Sequence, residues 1–372
     1  MNNEKLPGLY VHVPFCGSKC IYCDFYSETD VSLVSAWLYA LEQEMLLYRD
    51  RFPAFDTLYI GGGTPTVLAD TLLRNLFDLI FSSFRFTADR EITLEANPND
   101  ITGEKLAILK GCGVNRISLG VQSFEERDLL FLKRRHTARE AERAMDLIES
   151  SGFTSLSLDL LYGIPGQTGE GWLKTLEYAT RFNPAHLSCY QLTVSEGTKL
   201  WEMERNSTVH LPGEPEGEAF FLATARCLED HGYLHYEISN FASEEKNRSR
   251  HNQKYWQHIP YLGLGPSAHS FREGKRWWNH RSVADYCRAL GKGEAPVSGE
   301  EVLTPEQLEL ESLYLGLRTT EGVEGTLLFS SSNRRALLAE LLRADYVRLK
   351  GQKVVPTTKG FLVADRLAGV LS

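Results

Sequence analysis

The chain has 372 residues, 42% of them hydrophobic, and a formal charge of −9 at pH 7, enough for one large domain and a smaller one, each with its own core. No apolar run approaches the roughly 20 residues that span a bilayer, the opening MNNEKLPG carries no apolar signal region, and the negative charge excludes a surface that coats nucleic acid. Seven cysteines, with Cys16, Cys20 and Cys23 crowded together and Cys112, Cys189, Cys227 and Cys287 scattered, point to metal chemistry in a reducing, cytoplasmic compartment rather than to a disulfide framework.

Leu9, Val11 and Val13 alternate with Tyr10 and His12 on a period of two, so a short strand delivers the chain to a cysteine loop broken by Pro14 and Gly17. Three thiolates spaced CxxxCxxC suit an iron–sulfur cluster that keeps one iron open, because structural zinc takes four protein ligands. A zinc site completed by His12 or a distant cysteine, or a plain cluster of core cysteines, is the alternative. Val31 to Asp50 repeats apolar residues at helical spacing. Thr57 to Ile60 reads as a strand running into GGGTPT at Gly61 to Thr66, where glycines let the backbone approach a bound group and expose N–H donors to it. A Gly-rich turn after a strand is also ordinary loop geometry.

The alternation continues with a helix at Asp70 to Phe81, a strand at Ile92 to Glu95, and a helix at Thr102 to Cys112 capped by Thr102 and ended by Gly113. A strand at Arg116 to Val121 ends at Gln122, and a helix across Ala138 to Ser150, a strand at Ser155 to Leu161, a helix near Glu170 to Thr180 and a strand at His186 to Gln191 follow. Six strand–helix repeats with short connections imply an α/β fold, a parallel sheet with helices outside, curled into a partial (β/α)6 barrel. Such sheets bind ligands at the carboxyl ends of their strands. Those ends carry the cysteine loop, Gly61 to Thr64, Glu95, Gln122, Asp159, and Tyr190 with Gln191. Each polar residue alone reads as a helix cap or a buried hydrogen bond, but one shared pocket accounts for the set.

Beyond Ser195 the rhythm stops. Pro215 to His231 looks helical and Tyr236 to Ile238 looks like a short strand. RSRHNQKYWQH, Arg248 to His258, gathers histidines, aromatics and cations; if helical, it places His251 and Tyr255 on one face and Asn252 and Trp256 on another. That company suits heme, with imidazole for the iron, rings for the macrocycle and cations for the propionates. It equally suits a hydrogen-bonded histidine and two core aromatics. Tyr261 to Phe271 reads as a Gly-rich turn. Helices at Glu306 to Arg318 and Arg334 to Ala344, a hairpin of Tyr346 to Leu349 with Gln352 to Val355, and a helix at Phe361 to Leu371 suggest a winged-helix-like module. From Glu301 to Ser372 nine acidic residues balance nine basic ones, so the module is read as a packing or partner-binding unit without a nucleic-acid footprint.

YVHVPFCGSKCIYCDF, GGGTPT, LEANP, GVQSF, LDLLYGIPGQT, HNQKYW and GLGPSAHS together resemble the HemW heme-chaperone branch of the oxygen-independent coproporphyrinogen III oxidase-like radical S-adenosylmethionine (SAM) family, over nearly the whole length. The resemblance implies a [4Fe-4S] cluster on Cys16, Cys20 and Cys23, and SAM against Tyr10, Tyr22, Gly62, Gly63, Thr64 and Glu95. Members with a second SAM use positions matching Gln122, Arg134, Asp159 and Gln191, and the chaperone branch is implied to bind heme at His251, Asn252, Tyr255 and Trp256. It further implies transfer of heme to a respiratory or membrane acceptor, and a homodimer. The oxidases carry a further cysteine where this chain has Phe25, and an N-terminal extension where this chain reaches its cluster strand at Tyr10; decarboxylation of coproporphyrinogen III to protoporphyrinogen IX is therefore the competing function. The expected organisation is a TIM-like radical SAM partial barrel over 1–195, a barrel-completing segment with the HNxxYW motif over 196–299, and a smaller α+β module over 300–372.

Overall fold

The computed structural model describes residues 5–328 and 332–371, so the outermost residues of the expected first and third segments, 1–4 and 372, lie outside it. Strands β1 (Gly8–Val13), β2 (Phe55–Gly62), β3 (Phe86–Ala96), β4 (Arg116–Gln122), β5 (Ser155–Tyr162) and β6 (His186–Gln191) lie side by side in chain order, all parallel. Strands β7 (Leu234–His235) and β8 (Asn240–Ala242) extend the sheet antiparallel beyond β6. On the other side β9 (Tyr261–Leu264) adds a parallel neighbour to β1, and β10 (His269–Arg272), β11 (Lys275–Asn279) and β12 (Val297–Val302) continue antiparallel. The order β12-β11-β10-β9-β1-β2-β3-β4-β5-β6-β8-β7 leaves two free edges, so the barrel is open.

Strands of parallel sheets covered on both faces read as continuous apolar runs, but these alternate. Leu9, Val11, Leu58, Ile60, Ile92, Leu94, Ile117, Leu119, Leu158 and Leu187 point outward into one core under the helices, each fully buried, and each such side chain contributes about 1.5–3 kcal/mol. The alternate positions, Tyr10, Tyr59, Glu95, Arg116, Ser118, Ser157, Asp159 and His186, line the inside. A packed barrel core would be filled with aliphatic layers; this one encloses a polar lumen.

The helices are set by their caps. Thr102 accepts from the Lys105 N–H to start Gly103–Gly111, and Thr137 with Glu140 forms a capping box at the head of Ala138–Ser150. Several expectations need correction. Tyr236 to Ile238 adds no strand to the sheet: it links β7 to β8, where His235 pairs with Phe241, and only Glu237 makes a β contact, an isolated antiparallel bridge to Thr319. YLGLGPSAHSF is not a turn alone, since its ends are β9 and β10 around Gly265. The closing helix is broken into Thr358–Phe361 and Ala364–Leu371, and a short helix, Glu126–Phe131, went unpredicted.

A second core gathers Leu313, Leu317, Leu338, Val347, Val354 and Leu367 around a small sheet of β13 (Val323–Glu324), β14 (Val347–Lys350) and β15 (Lys353–Pro356), ordered β13-β15-β14. This α+β unit meets the barrel where Ile238 N–H donates to Arg318 O at 3.1 Å and Thr320 N–H donates to Tyr236 O at 3.0 Å. Among the described residues no helix is long and apolar enough to cross a membrane.

Candidate functional site

The cysteine loop is pinned at its base. Cys16 N–H donates to Glu28 O at 2.9 Å and Glu28 N–H to Pro14 O at 2.7 Å, closing residues 14–28 into one excursion from the end of β1. Thr64 Oγ1 donates to Cys16 Sγ at 3.6 Å and Arg134 Nη1 to Cys20 Sγ at 3.4 Å. All three thiols, with Arg134, Asn97 and Gly62 to Thr64, line a cavity of about 70 Å³. Burial pushes the Cys23 thiol up to about 11, and the neighbouring Cys20 and Cys16 add to the rise; a bound cationic centre would offset that cost of forming a thiolate. Among the described residues no three His, Cys, Asp or Glu side chains are gathered tightly enough to enclose one ion; the thiols rim a cavity instead. That donor set fits a thiolate-held iron–sulfur cluster.

Gly62 and Gly63 are required by space. At φ +108° a Cβ on Gly62 would lie 2.4 Å from the His12 ring, and one on Gly63 would lie 2.5 Å from Phe15 O. The expectation that this turn offers free N–H donors to a ligand is overturned. Gly62 N–H donates to Glu95, Gly63 N–H to Val13 O and Thr64 N–H to Phe15 O. The donors tie the turn to the cysteine loop and to Glu95.

The small cavity adjoins a lumen of about 1430 Å³, with Tyr22, Cys23, Gly62 to Thr64, Asn97 and Arg134 on both. Every residue expected at SAM, namely Tyr10, Tyr22, Gly62, Gly63, Thr64, Glu95, Gln122, Arg134, Asp159 and Gln191, faces the lumen. Glu95 accepts from Tyr59 Oη at 2.8 Å and from Gly62 N–H at 3.0 Å; Ser118 Oγ lies 3.1 Å from each Asp159 oxygen. Enclosure raises Glu95 to about 7 and Asp159 to about 6, since no full hydration shell is available to the charged forms. Arg134 Nη2 donates to Gly120 O at 2.7 Å, so with Nη1 on Cys20 Sγ the guanidinium is held where the two cavities meet. Gln122 ends β4 at φ +70°, a conformation side-chain-bearing residues adopt at a cost, often at binding sites.

The HNQKYW stretch is helical, Arg250–Trp256, and plugs the barrel floor. Glu91, at the start of the parallel part of β3, accepts from the Arg250 and His251 N–H groups at 3.1 and 3.0 Å, and Lys254 Nζ pairs with Asp56 at 2.6 Å. His251, Asn252 and Tyr255 face the lumen and Trp256 does not. His251 is 1% exposed. Thr57 Oγ1 and His251 Nδ1 share a hydrogen bond of 2.9 Å, as do Tyr255 Oη and His251 Nε2, and burial, then the Lys254 cation, lowers the imidazole to about 3. An iron reaching this histidine must displace one of the two hydroxyls.

Sequence reasoning missed Tyr59, Ser118, Arg116 and His186, all on the lumen wall. The period-two alternation carried through β2, β4 and β6 marks each as inward. Arg116, 4% exposed, has no carboxylate within ion-pair distance among the described residues and donates to Ser155 Oγ and Asn247 O.

An open parallel barrel with three thiols at its mouth defines the radical SAM class, and the Radical SAM superfamily model matches residues 10–179. The chain is 38% identical to the heme chaperone HemW of Bacillus subtilis over 319 residues, 84% of each chain. It is 34% identical to the heme chaperone HemW of Mycobacterium tuberculosis over 98% of this chain and 94% of that one, and 36% identical to that of Escherichia coli over 73% of each. The chain belongs to the HemW family of radical SAM proteins. The solved coproporphyrinogen III oxidase of Escherichia coli superposes with a TM-score of 0.85 at 24% identity, over 99% of this chain and 90% of that one, and so shares its fold.

Proposed function

We propose that this chain is a cytoplasmic heme chaperone. Cys16, Cys20 and Cys23 hold a [4Fe-4S] cluster, the upper lumen holds SAM, and heme is engaged through the HNQKYW helix for delivery to a respiratory or membrane acceptor. The cluster, with SAM on its open iron, would supply an electron for cleaving the sulfonium. The chain's own residues bind and orient: Glu95 and Asp159 present carboxylates, Arg134 a guanidinium, and His251 a neutral imidazole. The division into 1–195, 196–299 and 300–372 is part of the same reading, with β12 running across its second boundary, and so is assembly as a homodimer. The observation that carries the proposal is that His251, Asn252 and Tyr255 face the same lumen as Cys23 and Glu95, in a chain whose relatives are named heme chaperones.

The test is a heme titration of anaerobically reconstituted protein beside His251→Ala. Saturable binding that weakens in the variant is expected. Wild-type protein that binds no heme, or turnover of coproporphyrinogen III with SAM and reductant, overturns the proposal, the latter in favour of the oxidase.

A further inference from the structure

One run of contacts joins the floor helix to the upper lumen. The His251 ring is fixed at both nitrogens by Thr57 and Tyr255 and lies 5.2 Å, centroid to centroid, from the Tyr59 ring at an interplanar angle of 33°. Tyr59 Oη donates to one Glu95 oxygen at 2.8 Å, and the other accepts from Gly62 N–H at 3.0 Å. Tyr10 completes the cluster, 6.1 Å from Tyr59 and 6.5 Å from His251. Little slack exists at either end. A Cβ on Gly61 would lie 2.7 Å from the Glu95 carboxyl carbon, and one on Gly8 3.0 Å from the His251 ring. Close-packed interiors pass such displacements on rather than absorb them.

We propose that His251 is a positioning residue for Glu95, acting through Tyr59, so that engaging the His251 imidazole with a metal-centred ligand and holding SAM against Glu95 are antagonistic. The heme half rests on the chaperone reading above; the positioning half does not. A ligand that takes a His251 nitrogen must break its bond to Thr57 or Tyr255 and draw the ring away from Tyr59. Tyr59 then loses the face that orients it, and Glu95 loses one of its two donors. Antagonism of this kind is reciprocal: whatever factor SAM imposes on the imidazole ligand, that ligand imposes on SAM.

The experiment uses the full chain, anaerobically reconstituted, with SAM affinity read by equilibrium dialysis and by the change SAM makes in the reduced cluster's electron paramagnetic resonance spectrum. Tyr59→Phe removes the hydroxyl and keeps the ring; His251→Asn removes the ring and keeps a polar group. Each is expected to raise the SAM Kd about tenfold, the worth of one hydrogen bond to a charged group, and to diminish the spectral change at unaltered iron content. In the wild type, saturating SAM raises the heme Kd about fivefold or more, and heme raises the SAM Kd by the same factor. Wild-type SAM affinity in both variants, no SAM binding by the wild type, or heme and SAM titrating independently overturns the proposal. Should the variants fail to hold their cluster, the reciprocal shift in the wild type decides. Should heme not bind, the chaperone reading falls and the SAM affinities of the two variants still decide the positioning role.

Discussion

Glu44 offers a quantitative test of how the barrel is held together behind the cysteine loop. It is fully buried, accepting from Tyr286 Oη at 2.6 Å, Gly265 N–H at 2.8 Å and Asn279 Nδ2 at 2.6 Å. Gly265 packs so closely on β1 that a Cβ there would lie 2.6 Å from His12 O, so Glu44 helps fix the strand that presents the thiols. Burial raises Glu44 from 4.5 to about 7. Below pH 4.5 the carboxyl is neutral in the native and unfolded chains alike, and its contribution to stability is complete. As pH rises, the unfolded chain ionises first, so native stability falls by about 1.4 kcal/mol per pH unit until about 7 and is flat beyond, roughly 3 kcal/mol in all. Glu44→Gln does not titrate. Its amide meets Asn279 Nδ2 donor to donor unless Asn279 turns its unpartnered Oδ1 inward and gives up its 2.9 Å bond to Gly265 O, a cost of about 1 kcal/mol. The variant is therefore expected to be about 1 kcal/mol less stable than wild type near pH 4.5 and about 2 kcal/mol more stable at pH 8. Urea unfolding of both apo proteins at fixed ionic strength, from pH 5 to 8, measures the difference, and the other buried carboxyls cancel in it. A difference that does not change with pH refutes the assignment of a raised Glu44.

Gly63→Ala drives a methyl into Phe15 O at 2.5 Å and is expected to cost about 1–3 kcal/mol and to lower iron retention, read by iron content after reconstitution. Cys16→Ser, Cys20→Ser and Cys23→Ser should each abolish the brown charge-transfer absorbance while leaving the far-ultraviolet circular dichroism unchanged; absorbance retained in any one removes that residue from the ligand set. Leu313→Ala, at the centre of the second core, should lose about 2–5 kcal/mol in the transition of the C-terminal unit. Thiol reactivity of Cys16, Cys20 and Cys23, none of which belongs to that core, should stay at the wild-type rate.

The six parallel strands and their helices were legible because each strand announces itself by β-branched and aliphatic residues, and after β3, β4 and β5 a capping threonine, Thr102, Thr137 or Thr168, heads a helix as well. Ala138–Ser150 and His186–Gln191 have the bounds that the pattern alone set. The thiols were legible from spacing. What the pattern could not carry was long-range geometry. That Gly62, Gly63 and Thr64 spend their N–H groups internally depends on Glu95, Val13 and Phe15. That Tyr236 to Ile238 links β7 to β8 instead of adding a strand depends on β8 and on the C-terminal unit, where Glu237 bridges Thr319 and Thr320 donates its N–H to Tyr236 O.

The position of HNQKYW is the sharpest case. Its helical face, His251 with Tyr255, follows from a four-residue spacing, and the hydrogen bond between them realises it. Its place on the floor follows from Thr57, Tyr59 and Glu91, more than 150 residues earlier, and no local pattern encodes that. Yet the alternation in β1 to β6 does contain the consequence. Strands sheathed in helices on the outside, but polar at every second position, enclose a space that is not packed, and a polar space must be sealed at one end by a polar plug whose buried groups find partners on the strands. HNQKYW supplies that plug, with His251 bonded at both nitrogens and Lys254 paired to Asp56. Because the plug and Cys23 bound one lumen, a substitution in either is felt by whatever occupies it, and the binding properties of the two motifs have to be measured together.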